Sequence, residues 1–478
     1  MEQQHDALYT TKKSIHNYVS GSTVLIAATV IAFIIANTPI GIYYFSFWNQ
    51  PVALQIGSFN FFSHAGEPMT VLQFINDALM AIFFFTIGLE IKREVLVGEL
   101  SSFKQALLPI VAAVGGMAVP VLLFIWIGRG SDFINGAAIP MATDIAFSLG
   151  VLAMLGSRVP VGLKIFLTTL AVVDDIGGIL AIAIFYSGHI ELSYLAYAAG
   201  VLLVLFLGGK FRINSKIFYF ALGGIVWFLF LNSGIHPTIA GVLTALCVPA
   251  KPVLATSHFI ANIRNDISHF SAEEFQDCND RPMLSKMQMN WLKSIESASD
   301  KVISPLQDLE DTLHPVVNYL IIPLFAFANA GIAFSGVDIT AVFEGVSLAI
   351  IVGLVVGKFS GIFLFSWLAI KTGITPMPAN TNWKALMGVS LLGGIGFTVS
   401  LFIANLSFSG GSDAAVSLLA NAKLGIVVGS LIAGTLGYLT LHKVLPKKTV
   451  NTVPLFELNG LGRSYQRYEV GGSDQHQQ

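Results

Sequence analysis

Residues 166–185 read FLTTLAVVDDIGGILAIAIF and place two neighbouring acids, Asp174 and Asp175, near the middle of an apolar run. The run is long enough to span a bilayer as a helix. A charged side chain at the centre of such a helix costs roughly 2.5–3.5 kcal/mol on insertion scales, so both acids need a partner or a use. Hydrogen bonding inside a helical bundle is one interpretation. The favoured interpretation is that they face a water-filled cavity and bind protons or a hard cation.

The composition predicts a membrane protein along the whole chain. Of 478 residues, 54% are hydrophobic and 11% are charged, and the mean hydropathy is +0.73. Soluble domains have about 25% charged residues. The net charge of −2 and the scattered 26 basic residues give no support for a nucleic-acid partner. The two cysteines, Cys247 and Cys278, do not support a disulfide framework.

Apolar runs of about membrane-spanning length predict twelve spans. The predicted spans are 22–41, 71–91, 105–128, 133–156, 161–186, 192–209, 216–232, 235–250, 314–335, 345–370, 383–407 and 416–442. Basic residues near span ends favour the cytoplasmic side. They fall in alternate connections, beginning with Lys12 and Lys13 before the first span, whereas the opposite connections contain only Arg129. Both termini are therefore predicted to be cytoplasmic.

The span pattern predicts one twelve-helix transporter domain over residues 1–448. It is interrupted by a polar connection, about 252–312, which we interpret as a cytoplasmic insertion with a linking or regulatory role. The tail, 449–478, is predicted to be disordered and cytoplasmic. In the first outward connection, residues 52–62 (VALQIGSFNFF) alternate in a way that predicts a small β-hairpin around Gly57.

Two spans carry helix-breaking residues at mid-membrane. In the fourth, Pro140 removes a backbone donor, and Thr143 and Asp144 offer oxygens beside it. A kinked but continuous helix is one interpretation, and a discontinuous helix that lines an ion site is the favoured one. In the eleventh, the glycines of SLLGGIGF (390–397) fit either a break or close helix packing. The two breaks occupy corresponding positions if spans three to five and ten to twelve are inverted repeats.

Lys358 is a lone base at mid-span and requires an acid partner. Asp144 and Asp175 are the obvious candidates. Neighbouring residues on a helix point about 100° apart, so only one of Asp174 and Asp175 is expected to face a cavity directly. The other is then available to pair with Lys358.

Three further polar residues lie within or beside apolar runs. Asp77 and Lys423 are interpreted as structural, because each stands alone without a break in its helix. His236 begins a span, where it either makes a local hydrogen bond or forms a pH-sensitive contact. The charged cluster at 90–94 closes the second span and has the composition of a solvated anchor.

Together these residues resemble one family, the NhaA-type bacterial sodium/proton antiporters. The matching motifs are ATDIAF (142–147), VVDDIG (172–177), GIHPTIAG (234–241), LHP (313–315) with PLFAFANAG (323–331), GK (357–358) and GIGFT (394–398). The resemblance implies an all-α fold of about twelve transmembrane helices, with inverted repeats and two discontinuous helices that cross at mid-membrane. It implies electrogenic, pH-regulated exchange of Na⁺ or Li⁺ for H⁺ across the bacterial inner membrane, for sodium extrusion and pH homeostasis.

The resemblance also implies a role for each matching residue. Asp174 and Asp175 hold the cation and the protons, with Thr143 and Asp144 at the helix crossing and Lys358 as the compensating charge. The residues implied in pH response are Glu90, Arg93, Glu94, His236 and Glu310. The hairpin near 49–63 is implied in forming a homodimer. Na⁺, Li⁺, H⁺ and membrane lipid are the other expected partners, and neither a cofactor nor catalysis is expected.

Exchange follows from chemistry as well as from resemblance. Na⁺ and Li⁺ are hard cations that prefer oxygen ligands, and the same carboxylates hold either protons or a cation. One rival is an intramembrane aspartyl protease, which needs an acid on each of two facing helices and typically a Gly-x-Gly-Asp sequence. Here the acids adjoin, and Phe397 follows GIG. The nearer rival, a sodium-coupled symporter of an organic solute, needs additional polar groups that the sequence does not reveal.

Overall fold

The computed structural model describes residues 21–446 except 57–58, 61, 65–66, 189, 253, 255–257, 262, 265–285, 334–341 and 410–411. Within these residues, nine helices are long and apolar enough to cross a membrane, and two bent helix pairs raise the number to eleven. A shorter apolar helix, Thr238–Cys247, corresponds to the eighth predicted span. The predicted all-α membrane class is confirmed. The predicted tail and Lys12 and Lys13 lie outside the described residues.

The helices are numbered here in chain order. They are α1 (Gly21–Ala36), α2 (Gly41–Trp48), α3 (Val71–Leu96), α4 (Phe103–Ile127), α5 (Ile145–Ala153), α6 (Val161–Phe185), α7 (Leu192–Lys210), α8 (Lys216–Ser233), α9 (Thr238–Cys247), α10 (Lys286–Val302), α11 (Pro305–Asn329), α12 (Gly345–Lys371), α13 (Trp383–Leu392), α14 (Phe397–Ser407) and α15 (Asp413–Val444). Short 3₁₀ helices occupy Glu99–Ser101, Ile134–Met141 and Gly156–Arg158. Wider π-helical turns interrupt α3, α11 and α12 at Ile75–Leu79, Val317–Ile321 and Gly353–Gly357.

The region after the first span contains more structure than the sequence predicts. The predicted first span is too long, because α1 ends at Ala36 and the chain turns by 113° into the short helix α2. Tyr44 and Trp48 of α2 bury aromatic rings against Phe327 of α11, which holds α2 at the end of the bundle. The predicted single span of residues 22–41 is therefore replaced by two helices that meet at a sharp bend.

Two small hairpins follow α2. Strands β1 (Gln55–Ile56) and β2 (Phe59–Asn60) pair antiparallel, as the alternating pattern predicts. Strands β3 (Ser63–His64) and β4 (Glu67–Pro68) form a second antiparallel pair that was not predicted. Each pair is only two residues long, so neighbouring structure must supply its stability.

The two short apolar runs around residue 234 are separate helices, as predicted. Gly234 ends α8 with φ of 84°, a left-handed conformation that glycine adopts without steric cost. The predicted start of the ninth span is wrong. Helix α11 begins at Pro305, where the Ser304 hydroxyl accepts a hydrogen bond from the Gln307 backbone N–H at 3.2 Å. Glu310 therefore lies within α11 and not in the preceding connection.

The two predicted broken spans are confirmed and lie at the centre of two helix triplets. The first triplet consists of α4, the pair formed by Ile134–Met141 and α5, and α6. The second triplet consists of α12, the pair α13 and α14, and α15. The triplets pack through α4 and α12, where a Cβ on Gly361 would lie 2.2 Å from the Gly115 carbonyl oxygen. Glycine at this position permits the close approach that buries the Lys358 side chain.

Candidate functional site

The backbones of the two broken spans cross and hydrogen-bond directly. Between Ile134–Met141 and α5, the backbone N–H of Asp144 donates to the carbonyl of Ile395 at 2.7 Å. The Thr143 hydroxyl donates to the carbonyl of Gly393 at 2.9 Å. Each interrupted helix leaves unpaired backbone groups at its break, and the other helix satisfies some of them. The predicted crossing is confirmed.

Asp144 is the N-cap of α5 and also contacts the start of α14. One carboxylate oxygen accepts from the Phe147 backbone N–H at 2.9 Å. The other accepts from the Thr398 backbone N–H at 2.9 Å and from the Thr398 hydroxyl at 2.6 Å. Two helix N-termini, which carry partial positive charge, therefore point at this one buried carboxylate. Asp144 is satisfied in its ionised form without a basic side chain.

Lys358 forms a fully buried ion pair with Asp174. Its ammonium also donates to the Thr143 hydroxyl at 2.8 Å, which ties the pair to the crossing. The expectation that Asp144 or Asp175 is the partner is wrong. Asp144 already has its charge compensated by helix ends, and Asp175 points to another side of α6. The alternative expectation, that one member of the adjacent acids pairs with Lys358, is confirmed.

Asp175 lines a cavity of about 330 Å³, here called the site cavity. The other acidic and hydroxyl groups on its wall are contributed by Glu90, Thr143, Asp144 and Thr398, together with Ser22 and Thr86. Much of the remaining wall is apolar, from residues such as Phe83 and Ile87. The structure therefore separates the adjacent acids, with Asp174 in an ion pair and Asp175 on a cavity wall.

The buried charges near the crossing do not balance. Lys358 offsets Asp174, and helix ends offset Asp144, but no group among the described residues donates a hydrogen bond to Asp175. In addition, Asp174 Oδ1 is buried without a hydrogen-bond partner in the described part of the chain. A buried carboxylate without compensation is costly. The arrangement therefore favours a proton or a cation on Asp175, with oxygens of the adjacent acid and the crossing nearby.

Four of the five residues implied in pH response lie at one end of the bundle. The Arg93 guanidinium is 2.5 Å from a Glu310 carboxylate oxygen and 3.0 Å from one of Glu94. Glu90 lies one turn before Glu94 on α3 and reaches the site cavity. The fifth, His236, does not join them. Its role and those of the other four stay predictions.

His236 lies beside a second cavity, of about 760 Å³, at the opposite end of the bundle. Its Nε2 is 3.5 Å from a carboxylate oxygen of Asp77, and both residues line this cavity. The interpretation that Asp77 stands alone is therefore wrong. Five helices, α4 to α8, separate the two residues along the chain, so no local sequence pattern indicates their contact.

Sequence reasoning did not assign site roles to Thr398, Ser148 and Ser400. Thr398 bonds Asp144, and the Ser148 and Ser400 hydroxyls donate across the crossing to the carbonyls of Leu392 at 3.0 Å and Ile139 at 2.8 Å. The signal for Thr398 was present in the motif GIGFT, where a hydroxyl follows the helix break. The two serines resemble ordinary small residues of tightly packed membrane helices.

Comparisons with known proteins agree with this geometry. A family model described as Na⁺/H⁺ antiporter 1 matches residues 12–441. The chain is 54% identical over 441 residues to the Na(+)/H(+) antiporter NhaA of Phocaeicola vulgatus, covering 92% of this chain and 97% of that protein. It is 54% identical over 431 residues to NhaA of Bacteroides fragilis, covering 90% and 97%. For NhaA of Porphyromonas gingivalis, identity is 47% over 442 residues, covering 92% and 97%. The chain therefore belongs to the Na⁺/H⁺ antiporter 1 family.

Proposed function

We propose that this protein exchanges Na⁺ or Li⁺ for H⁺ across a bacterial cytoplasmic membrane and that Asp175 and Asp174 hold the exchanged ions. The observation that carries the proposal is the division of the acid pair. Asp175 lines a cavity without a compensating partner, and Asp174 keeps one buried oxygen unpaired beside Lys358. Family membership supports the same ions, since the named relatives are Na⁺/H⁺ antiporters.

Exchange follows if protons and cation compete for the same oxygens. With Na⁺ bound, carboxylate oxygens of Asp175 and Asp174 supply the negative charge and the hard ligands that the ion prefers. A cation near Asp174 weakens the attraction between Asp174 and Lys358, because Lys358 is then repelled. Without Na⁺, a proton on Asp175 removes the uncompensated charge. Neither ion needs a separate site, so the protein moves one kind of ion only when it gives up the other.

The electrostatic role of Asp144 differs from that of the acid pair in this scheme. Its carboxylate neutralises the positive ends of α5 and α14, which otherwise repel a cation in the site cavity. Thr143 joins the Lys358 ammonium to the carbonyl of Gly393, so motion of the ion pair is transmitted to the helix break. Both residues therefore position the site at the crossing.

Several finer features are part of the same proposal. The basic residues in alternate connections support a cytoplasmic location for both termini, for the insertion and for the end of α3 at which Glu90 lines the site cavity. Arg93, Glu94 and Glu310 form a charged cluster at that end, which suits a response of exchange to cytoplasmic pH. A homodimer joined by the hairpin region and surrounded by membrane lipid completes the proposal. The protein is a transporter without an enzymatic activity or a resident cofactor.

The decisive assay uses the full chain in proteoliposomes that contain a pH-sensitive dye and carry an imposed pH gradient. Added Na⁺ and Li⁺ should each dissipate the gradient, and K⁺ should not, because the small hard cations bind the carboxylate site more strongly. Imposing a membrane potential across the proteoliposomes should change the rate at which the pH gradient dissipates if exchange is electrogenic. Gradient loss that required an added organic solute would indicate the symporter instead, and no response to any cation would contradict the proposal.

A further inference from the structure

A layer of side chains lies between the site cavity and the second cavity. On α14, Val399 lines the site cavity, and Phe402, three residues later, lines the second cavity. Three residues of an α-helix rise about 4.5 Å. On α14, residues that line the two cavities are therefore less than one helical turn apart.

Aromatic packing makes this layer apolar. The ring of Phe402 lies 5.7 Å from that of Phe84, 6.2 Å from that of Phe325 and 5.4 Å from the imidazole of His236. These three partners belong to parts of the chain outside the two triplets. Close-packed rings exclude water and ions, so Phe402 seals the layer against both where α14 packs against α3 and α11.

Three amide side chains form a hydrogen-bonded chain at the edge of the same layer. Asn405 Nδ2 donates to Asn329 Oδ1 at 2.9 Å, and Asn329 Nδ2 donates to Asn76 Oδ1 at 2.9 Å. The second N–H of Asn329 donates to the carbonyl of Phe325 at 3.0 Å. Asn329 is fully buried and has both N–H groups and its oxygen paired. Such complete pairing in a buried place fixes the relative positions of the helices that take part.

The two amide bonds differ in which parts of the molecule they join. Asn329 and Asn76 lie on α11 and α3, both outside the triplets. Asn405 lies on α14 of the second triplet, and the same helix holds Asp144 through Thr398. The Asn405–Asn329 bond therefore joins the part that carries the ion site to the part that does not. Movement of the site relative to α11 must break or stretch this bond.

We propose that the Asn405–Asn329 hydrogen bond is a clasp that keeps the site closed to the second cavity, and that its opening is a step in exposing Asp175 to that side. The proposal rests on the exchange function proposed above, because a transporter must expose one site at both ends. A bond between neutral amides suits this role. It favours the closed form without adding a charge that attracts or repels the passing cation.

The test measures closure directly by thiol labelling. Met80 is 2% exposed and lies on α3 between Asp77, which lines the second cavity, and Phe83, which lines the site cavity. The full chain, with both native cysteines changed to alanine and Met80→Cys introduced, is labelled in detergent with a water-soluble maleimide. Adding Asn405→Ala or the similarly sized Asn405→Leu should raise the labelling rate about fivefold, the effect of losing one net hydrogen bond.

Ser407→Ala is the matched control on α14. The Ser407 hydroxyl donates to the Tyr186 hydroxyl at 2.9 Å, and Tyr186 directly follows α6 of the first triplet, so this bond does not join α14 to α11. Ser407→Ala should leave the Met80→Cys labelling rate unchanged. The clasp is refuted if both Asn405 variants fold, by thermal melting, and label at the starting rate, or if Ser407→Ala accelerates labelling equally. Labelling needs no Na⁺/H⁺ exchange, so its outcome is separate from that of the liposome assay.

Discussion

The two triplets share a broken middle span but carry different charges. The first contributes Asp144, Asp174 and Asp175, all buried or on the wall of the site cavity. The second contributes Lys358 as its buried charge at the crossing, together with backbone groups around the break between α13 and α14. The same architecture therefore supplies acidic side chains from one triplet and the groups that compensate their charge from the other.

If the proposed ion site is correct, this division explains why neither triplet alone is sufficient to form it. Three carboxylates from one triplet repel each other and have lost their hydration. The second triplet relieves two of them, Asp174 through Lys358 and Asp144 through Thr398 and the start of α14. It leaves Asp175 uncompensated. In the proposed function, the exchanged ion therefore binds at Asp175 on the cavity wall, beside Asp174, whose Oδ1 is unpaired within the described residues.

The largest effect is expected from removing the charge of the acid pair. Asp175→Asn and Asp174→Asn should each abolish or severely reduce Na⁺-driven proton movement in proteoliposomes, because an amide keeps the shape but does not carry the exchanged charge. In the wild type, calorimetry in buffers of different ionisation enthalpy should show proton release on Na⁺ binding. The Na⁺ affinity should fall as pH falls, since protons and Na⁺ compete.

Asp132→Asn makes the same chemical change at an exposed position and should behave as the wild type. The decisive case is folded Asp175→Asn protein, which should bind Na⁺ weakly and release no protons. Normal Na⁺ affinity with unchanged proton release would remove Asp175 from the shared site. Asp144 would then be the next acid to test.

The sequence predicted the parts of this site that depend on isolated features within apolar runs. Adjacent acids, a lone lysine and two helix breaks are visible because each conflicts with a membrane environment. The sequence allowed one of the adjacent acids to pair with Lys358 but did not select Asp174, since that choice depends on the direction of side chains on α6 and on the helix ends that already satisfy Asp144. Burial of polar groups indicates that a partner exists but not which partner it is.

Long-range polar contacts were also beyond sequence reasoning. Asp77 and His236, and the three amides that include Asn329, meet only because distant helices pack together. The helix α2 was missed for a related reason. Its aromatic residues are explained by packing against Phe327, a residue far along the chain. Apolar periodicity identifies helices but does not determine which faces of them meet.

The next largest effect, after that of the acid pair, is expected from Lys358, the charged residue that the second triplet contributes to the crossing. Lys358→Ala leaves Asp174 buried without its counter-charge and should destabilise the fold by roughly 3–5 kcal/mol. It should also change the apparent proton affinity of the site. Lys358→Arg keeps the charge and should retain more of the stability. Thermal unfolding measures the stability of the purified wild type, Lys358→Ala and Lys358→Arg proteins. Equal stability of the three would show that the ion pair between Lys358 and Asp174 does not stabilise the fold.

Thr398 tests the neutral contribution of the second triplet. Thr398→Val removes the 2.6 Å hydroxyl bond to Asp144 but keeps the backbone N–H bond, so the loss of stability should be about 2 kcal/mol. Thr440→Val is the control, because the Thr440 hydroxyl is exposed and bonds only to its own helix at Leu436. Its effect should stay within about 0.5 kcal/mol. Equal losses of stability in Thr398→Val and Thr440→Val would show that the hydroxyl bond to Asp144 contributes no more than a bond within one helix.

Cysteine variants at the starts of α4 and α12, which should leave activity unchanged, test whether the two triplets are inverted. Ser101 precedes α4 and Glu344 precedes α12, and both side chains are exposed at the starts of the corresponding helices. In inverted repeats these starts lie on opposite sides of the membrane. With both native cysteines replaced, an impermeant maleimide added to intact cells should label Glu344→Cys but not Ser101→Cys. Lys286→Cys, on the insertion helix α10, should react only after the membrane is opened, because the basic residues of that connection predict the cytoplasm. Labelling of Ser101→Cys and Glu344→Cys from one side would mean that the triplets run in parallel, and the division of charge between them would then not reflect an inverted repeat.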